Sequence, residues 1–319
     1  MPGVGLRGCI GGVVPPICTP MLDARTVDHR SLARLHARLV GGGVSGIFAL
    51  GSTGEASYLT DLQRHHVVST LLTANAASAV PLLVGVVETT ALRAVDAYER
   101  LPKGEIGAVV VTGPFYAIAS PKEIVAHFEY VSSHVREPVL AYNIPVNIGY
   151  ELPVDVLVDL MERGVVAGIK DSSPNLTAFR QVVSALGTRR DLALFTGSDG
   201  LLDCALAVGA NGCVAGLSNI APELFVEAMS AHARGDSQRL AGAQQTISQL
   251  TALYTNTEPV SGVNSTQLGS IKTALWLQGV IDHDDVSLPM RRSSPARAEY
   301  VKALLERCGV LQMGEAVSR

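Results

Sequence analysis

The sequence predicts an α/β fold, a (β/α)8 TIM barrel with a C-terminal helical extension, from three observations. Short apolar runs alternate with helix-length amphipathic stretches from the start of the chain to about Arg234. Runs such as 108–111 are apolar on both faces, as a parallel strand covered by helices requires. The strand–helix pairs number eight within residues 1–235, close to the length of about 250 usual for such a barrel. An open, doubly wound sheet would show the same alternation, and the count of eight favours the closed form.

Taken in order, 13–18 reads as the first strand and 30–39 as its helix, with Leu32, Leu35 and Leu39 on one face. The following strands and helices are 46–50 with 61–76, 82–86 with 91–100, and 108–112 with 121–135. Next come 139–142 with 153–162, 166–169 with 175–186, 193–195 with 201–208, and 212–215 with 222–232. Pro121, Pro153 and Pro222 stand where a fixed φ suits a first helical turn. After Arg234 the pattern is helical only, at 237–254, 271–278 and 295–308, and the polar stretch 255–270 reads as a loop. The expected division is a barrel over 1–235 and a helical extension of the same domain over 236–319.

Composition narrows the function. Hydrophobic residues make up 47% of the 319 and charged ones 17%, ample for a buried core. The net charge of −4 comes without a basic stripe, which speaks against a nucleic-acid partner. No run approaches a membrane span of about 18 apolar residues. The cysteines (Cys9, Cys18, Cys204, Cys213 and Cys308) are odd in number and never form a C-x-x-C pair. That suits free thiols in a reducing cytoplasm. Residues 1–10 lack the charged and apolar regions of a secretory signal, so a cytoplasmic location is expected.

In this fold the active site lies at the C-terminal ends of the strands. Those ends carry Gly51-Ser-Thr-Gly-Glu55, Gly113-Pro-Phe-Tyr116, Tyr142-Asn-Ile-Pro145, Lys170-Asp-Ser-Ser173, Gly197-Ser-Asp199 and Gly216-Leu-Ser-Asn219. Of the lysines, Lys103, Lys122, Lys272 and Lys302 fall in loops or helices, and Lys170 alone closes an apolar strand. An amine in such a place loses hydration of its charged form, which frees the neutral amine to attack a carbonyl. The bland alternative is a lysine that reaches solvent from the rim or pairs with Asp171. Tyr142, at the end of the adjacent strand, could pass protons to and from a carbinolamine, or it could merely plug the barrel mouth. Ser52 and Thr53 sit in a glycine-bounded turn whose amides and hydroxyls could cradle a carboxylate. Glu55 reads as a cap or as a partner for another site residue.

Gly51-Ser-Thr-Gly-Glu55, Tyr142-Asn-Ile-Pro145 and Gly168-Ile-Lys-Asp171 together resemble the dihydrodipicolinate synthase / N-acetylneuraminate lyase family of class I aldolases, in matching order from Gly12 to about Leu305. The resemblance implies a barrel in which Lys170 forms a Schiff base with pyruvate and Tyr142 shuttles protons. It implies that Ser52 links Tyr142 to Tyr116, which in much of this family comes from a neighbouring subunit. Ser52 and Thr53 would hold the pyruvate carboxylate, and Val214 would pack near the keto acid. A homo-oligomer, dimer or tetramer, follows, with no metal and no cofactor.

Three positions bear on the substrate. Dihydrodipicolinate synthases usually carry Arg two residues after the Pro of Tyr-Asn-x-Pro, where this chain has Asn147, and a neutral amide cannot replace a bidentate guanidinium. Sialic acid lyases tend to have an acidic pair where this chain has Asp199-Gly200. Ser172 resembles aldolases acting on 4-hydroxy-2-oxo acids and 2-keto-3-deoxy sugar acids, and Pro145-x-Asn147-x-Gly149 resembles 4-hydroxy-2-oxoglutarate aldolases. The expectation is reversible cleavage of such an acid to pyruvate and an aldehyde. The alternatives are a 4-hydroxy-tetrahydrodipicolinate synthase, a 2-keto-3-deoxy sugar acid dehydratase and a non-catalytic keto-acid-binding barrel. Gly41-Gly-Gly-Val-Ser-Gly46 fits G-x-G-x-x-G but follows a helix and precedes a strand, the wrong polarity for a dinucleotide. Asp282-His-Asp-Asp285 reads as a solvated loop rather than a metal site.

Overall fold

The computed structural model describes residues 11–311, leaving out 79, 188, 190 and 256–260. Its strands are β1 (Gly12–Val13), β2 (Ile47–Ala49), β3 (Leu82–Val86), β4 (Ala108–Thr112), β5 (Val139–Asn143), β6 (Gly168–Asp171), β7 (Ala193–Thr196) and β8 (Gly212–Cys213). All eight run parallel, each hydrogen-bonded to the next from β2 to β8, and β8 pairs with β1. The last seam, β1 to β2, closes at a bridge between Pro16 and Phe48. There the amides of Ile17 and Phe48 donate to the carbonyls of Phe48 and Pro15, both at 2.9 Å. The ring is therefore complete.

Alternation along the strands builds two cores. Val14, Phe48, Leu83, Val110, Leu140, Phe195 and Val214 point inward and fill the barrel. Val109, Val111, Ala141 and Ile169 point outward and pack under the helices. Those helices are α1 (His29–Gly41), α2 (Asp61–Asn75), α3 (Ala91–Glu99), α4 (Pro121–His134), α5 (Val154–Glu162), α6 (Leu176–Leu186), α7 (Leu202–Ala207) and α8 (Pro222–Ala233). Their starts are locally encoded: Thr60 with Gln63 and Ser120 with Glu123 form reciprocal capping boxes. Three more helices follow, α9 (Ser237–Leu250), α10 (Val263–Leu277) and α11 (Pro295–Arg307).

Several boundaries differ from the sequence pattern. The sixth strand starts two residues late, because the amides of Val165 and Val166 both donate to the Leu160 carbonyl and finish α5. Lys170 is consequently inside β6 rather than beyond it. Gly168 makes this possible: it sits at φ +152°, and a Cβ there would lie 2.0 Å from the Ala193 carbonyl oxygen. Pro153 is the N-cap of α5, not its first helical residue.

The larger correction concerns the loop expected over 255–270, of which 263–270 are helical. The apolar period fails there because α10 buries polar residues instead. Thr266, Ser270, Lys272 and Thr273 are all buried; the Ser270 hydroxyl donates back to the Thr266 carbonyl (2.6 Å), and that of Thr273 donates to Asp284 Oδ2 (2.9 Å). A hairpin of Met21–Asp23 with Thr26–Val27, and a single helical turn at Pro145–Ile148, are also additions to the expected elements. Among the described residues no helix is long and apolar enough to cross a membrane. Cys18, Cys204, Cys213 and Cys308 are free; Cys9 lies outside the described residues.

Candidate active site

The strand ends open into a cavity of about 410 Å³. Lys170, Tyr142, Ser52, Thr53, Ser172, Val214, Asn147 and Asp199 all line it. Tyr116 does not line the cavity of its own chain: it is 98% exposed and held at φ +76°.

Register brings the amine and the phenol together. Tyr142 on β5 is the direct partner of Lys170 on β6, with Thr112 and Phe195 as the next partners on either side. Lys170 Nζ lies 3.9 Å from the centroid of the Tyr142 ring and 4.6 Å from that of Phe48. The two residues are 4% and 2% exposed. Two aromatic rings thus flank the nitrogen beneath the cavity. Asp171, one residue on, faces the other side of the sheet, where it accepts from Asn143 Nδ2 (3.2 Å) and the Ser173 amide (2.7 Å). The Lys170–Asp171 pair considered from sequence does not form.

The Tyr142 hydroxyl lies 3.3 Å from Ser52 Oγ. Burial pushes this phenol up, but the charge of Lys170 and hydrogen bonds from Lys170, Ser52 and Ser172 outweigh it and leave the group below its ordinary value. Ser172 has room because its neighbour is Gly197, where a Cβ would fall 2.2 Å from Ser172 Oγ.

Ser52 and Thr53 sit on a turn held from behind. Leu50 and Glu55, at φ +55° and +60°, take the left-handed conformation that costs a side-chain-bearing residue energy. Glu55 is fully buried, ion-paired with the equally buried Lys272, and accepts from the Ser287 amide at 2.9 Å. Lys272 Nζ also donates to the Asp285 carbonyl at 2.9 Å. The acid therefore anchors the turn to α10 and the chain beyond it, while the hydroxyls on the same turn face the cavity.

Asp199 is differently employed. One carboxylate oxygen accepts from the Leu217 amide and the other from the Tyr254 hydroxyl, both at 2.9 Å. Burial pushes its carboxyl up to about 6 despite those bonds, and pushes the Tyr254 phenol well above its ordinary value. Sequence reasoning missed Tyr254, Asn264 and Gln267, which line the cavity from the chain after the barrel. Nothing local marks them, since a rule that looks only at strand ends cannot find them. No cluster of three or more His, Cys, Asp or Glu among the described residues could hold a metal. In the 282–285 stretch, Asp282 pairs with Arg34 and Asp284 with Arg292.

A family model described as the dihydrodipicolinate synthetase family matches residues 9–308. The chain belongs to that family. Like its members it is a lyase. It is 34% identical over 291 residues to an uncharacterized DapA-like lyase of Halobacterium salinarum, covering 91% of each chain. It is 27% identical to the 4-hydroxy-tetrahydrodipicolinate synthase of Methanosarcina mazei, covering 94% of this chain and 99% of that one. The structure of YagE from Escherichia coli K12, a prophage protein of the dihydrodipicolinic acid synthase family, in complex with pyruvate, superposes with a TM-score of 0.86. That chain is 26% identical, with 94% of this chain and 99% of YagE covered. YagE is named as a candidate 2-dehydro-3-deoxy-D-gluconate aldolase. The relatives of this chain thus include proteins named as a synthase and as a candidate aldolase.

Proposed function

We propose that Lys170 forms a Schiff base with the ketone of a 2-oxo acid and that the enzyme reversibly cleaves a 4-hydroxy-2-oxo acid or 2-keto-3-deoxy sugar acid to pyruvate and an aldehyde. The observation that carries this reading is the amine held 3.9 Å from the Tyr142 ring, nearly enclosed and with no carboxylate paired to it among the described residues. Lys170 Nζ attacks C2, and loss of water from the carbinolamine leaves a protonated imine. Tyr142 takes the proton from the C4 hydroxyl. The C3–C4 bond breaks, its electron pair moves through C2 to the imine nitrogen, and the aldehyde departs. Reprotonation of the enamine at C3 and hydrolysis return pyruvate and the free amine. The imine is itself the electron sink, so the scheme calls for no cofactor.

Ser52 and Thr53 are suited to the keto-acid carboxylate, Ser172 to the substrate hydroxyl and Val214 to the methyl side of pyruvate. In a cytoplasmic dimer or tetramer, Tyr116 of a second copy would reach Ser52, which accounts for the full exposure of this phenol in the single chain. A purely binding barrel would have no use for the Lys170–Tyr142 pair, and condensation with a carboxylated aldehyde lacks a cation at Asn147.

Incubation with pyruvate and borohydride, followed by peptide mapping, tests the reading. Reductive trapping on Lys170 is expected; an enzyme left unmodified at that residue would reduce the site to a binding pocket.

A further inference from the structure

The wall facing the strand ends is made by the chain after the barrel. Asn264 and Gln267 stand three residues apart on α10, so they share one face of that helix. Both line the cavity that holds Lys170. Asn264 Nδ2 donates to the Tyr58 hydroxyl at 2.8 Å. The Gln267 amide has no hydrogen-bond partner among the described residues and is half-buried. An amide in that setting must be met by water or by a ligand with both donors and acceptors.

The charge of the wall narrows the ligand. Among the described residues lining the cavity, Lys170 is the single cation and Asp199 the single carboxylate, and both Asp199 oxygens are already bonded. A second carboxylate on the substrate would lose its water with nothing to balance it. Hydroxyls, in contrast, would find Gln267, Asn264, Asn147 and Ser198.

We propose that the amide face of α10, Asn264 and Gln267, is the subsite for the aldehyde half of the substrate, and that it takes a neutral, hydroxylated chain rather than a carboxylated one. The inference rests on the imine chemistry at Lys170 and adds a substrate class to it. Asp199 is then a positioning residue. It holds Tyr254, whose turn (Thr251–Tyr254) precedes α10, against the loop after β8. Contact there is close: a Cβ on Gly216 would lie 2.6 Å from the Tyr254 hydroxyl oxygen.

Retro-aldol kinetics on 2-keto-3-deoxygluconate and 4-hydroxy-2-oxoglutarate test this, with pyruvate release as the readout. The unmodified enzyme is expected to have the lower KM for the sugar acid. Gln267→Met, close in volume, is expected to raise that KM about tenfold, the loss of one or two hydrogen bonds, with a smaller change in kcat. Gln267→Arg is expected to shift preference toward the dicarboxylate. A lower KM for the dicarboxylate in the unmodified enzyme, or a sugar-acid KM within twofold in folded Gln267→Met, would overturn the subsite while pyruvate trapping on Lys170 still succeeds. Failure of trapping in the unmodified enzyme would remove the imine reading and the subsite together.

Discussion

Two lysines are buried in this barrel, and they are opposites. Lys272, on a helix, is fully enclosed and has everything a buried cation needs: the Glu55 carboxylate and the Asp285 carbonyl. Lys170, on a strand, is nearly as enclosed but is met by two aromatic faces and an open cavity. Burial alone therefore does not set what a lysine's amine meets. The Lys272 ammonium is tied to a carboxylate and a carbonyl, whereas the Lys170 amine is left facing the cavity, with aromatic rings beside it and no carboxylate paired to it among the described residues. The two sites also meet: Glu55 lies three residues after Ser52, so the pair at Lys272 fixes the turn that serves the Lys170 site.

Replacing each lysine by methionine should separate these roles most sharply. Lys170→Met is expected to abolish both trapping and turnover without lowering thermal stability, because no buried carboxylate is orphaned. Lys272→Met leaves the buried Glu55 without its cation, held only by the Ser287 amide, and should cost about 3–5 kcal/mol of unfolding free energy in urea titrations. Equal stability losses in the two variants would erase the contrast. Tyr142→Phe comes next. Turnover should fall about 100-fold or more, as for loss of a general acid–base group. In the unmodified enzyme kcat is expected to rise with pH through the ionisation of this phenol, below its ordinary value of 10.0, and the variant should lose that limb.

The smallest effect is expected at Asp199. Its folded pKa of about 6 lies above its ordinary 3.8, so the native state holds this proton more tightly than the unfolded chain does. The stability that this group contributes is complete below about pH 4 and is lost as pH rises through 6. Asp199→Asn should flatten that slope, worth on the order of 1–3 kcal/mol across the window, in unfolding titrations run from pH 4 to 7. A slope identical to that of the unmodified protein would mean that the carboxylate is not buried as described.

What the sequence disclosed follows from where the constraints are local. The strands at 82–86 and 108–112 were legible to the residue, since a strand covered on both sides must be apolar throughout. That Lys170 and Tyr142 would line the strand-end cavity was legible, because each closes an apolar run at the C-terminal mouth of the barrel. The N-terminal half of α10 was not. Its Asn, Ser, Thr and Gln are poor evidence for a helix, and some of them meet partners distant in sequence, as Asn264 meets Tyr58 and Ser270 meets Arg297. Asp199 was placed among the substrate-side positions by resemblance to the acidic pair of sialic acid lyases; in the fold its oxygens accept from Leu217 and Tyr254, a pairing the sequence does not disclose. Non-local partners decide such residues, and a single sequence does not name them.

The seam at Pro16 and Phe48 carries a consequence for the newborn chain. Phe48 sits at the bridge that joins β1 to β2, and its ring is also one of the two surfaces that keep water from Lys170. Ring closure and enclosure of the Lys170 amine are therefore coupled. Before the first and second strands meet, residue 170 lacks the wall that Phe48 supplies. The pocket around Lys170 exists only once the barrel is finished.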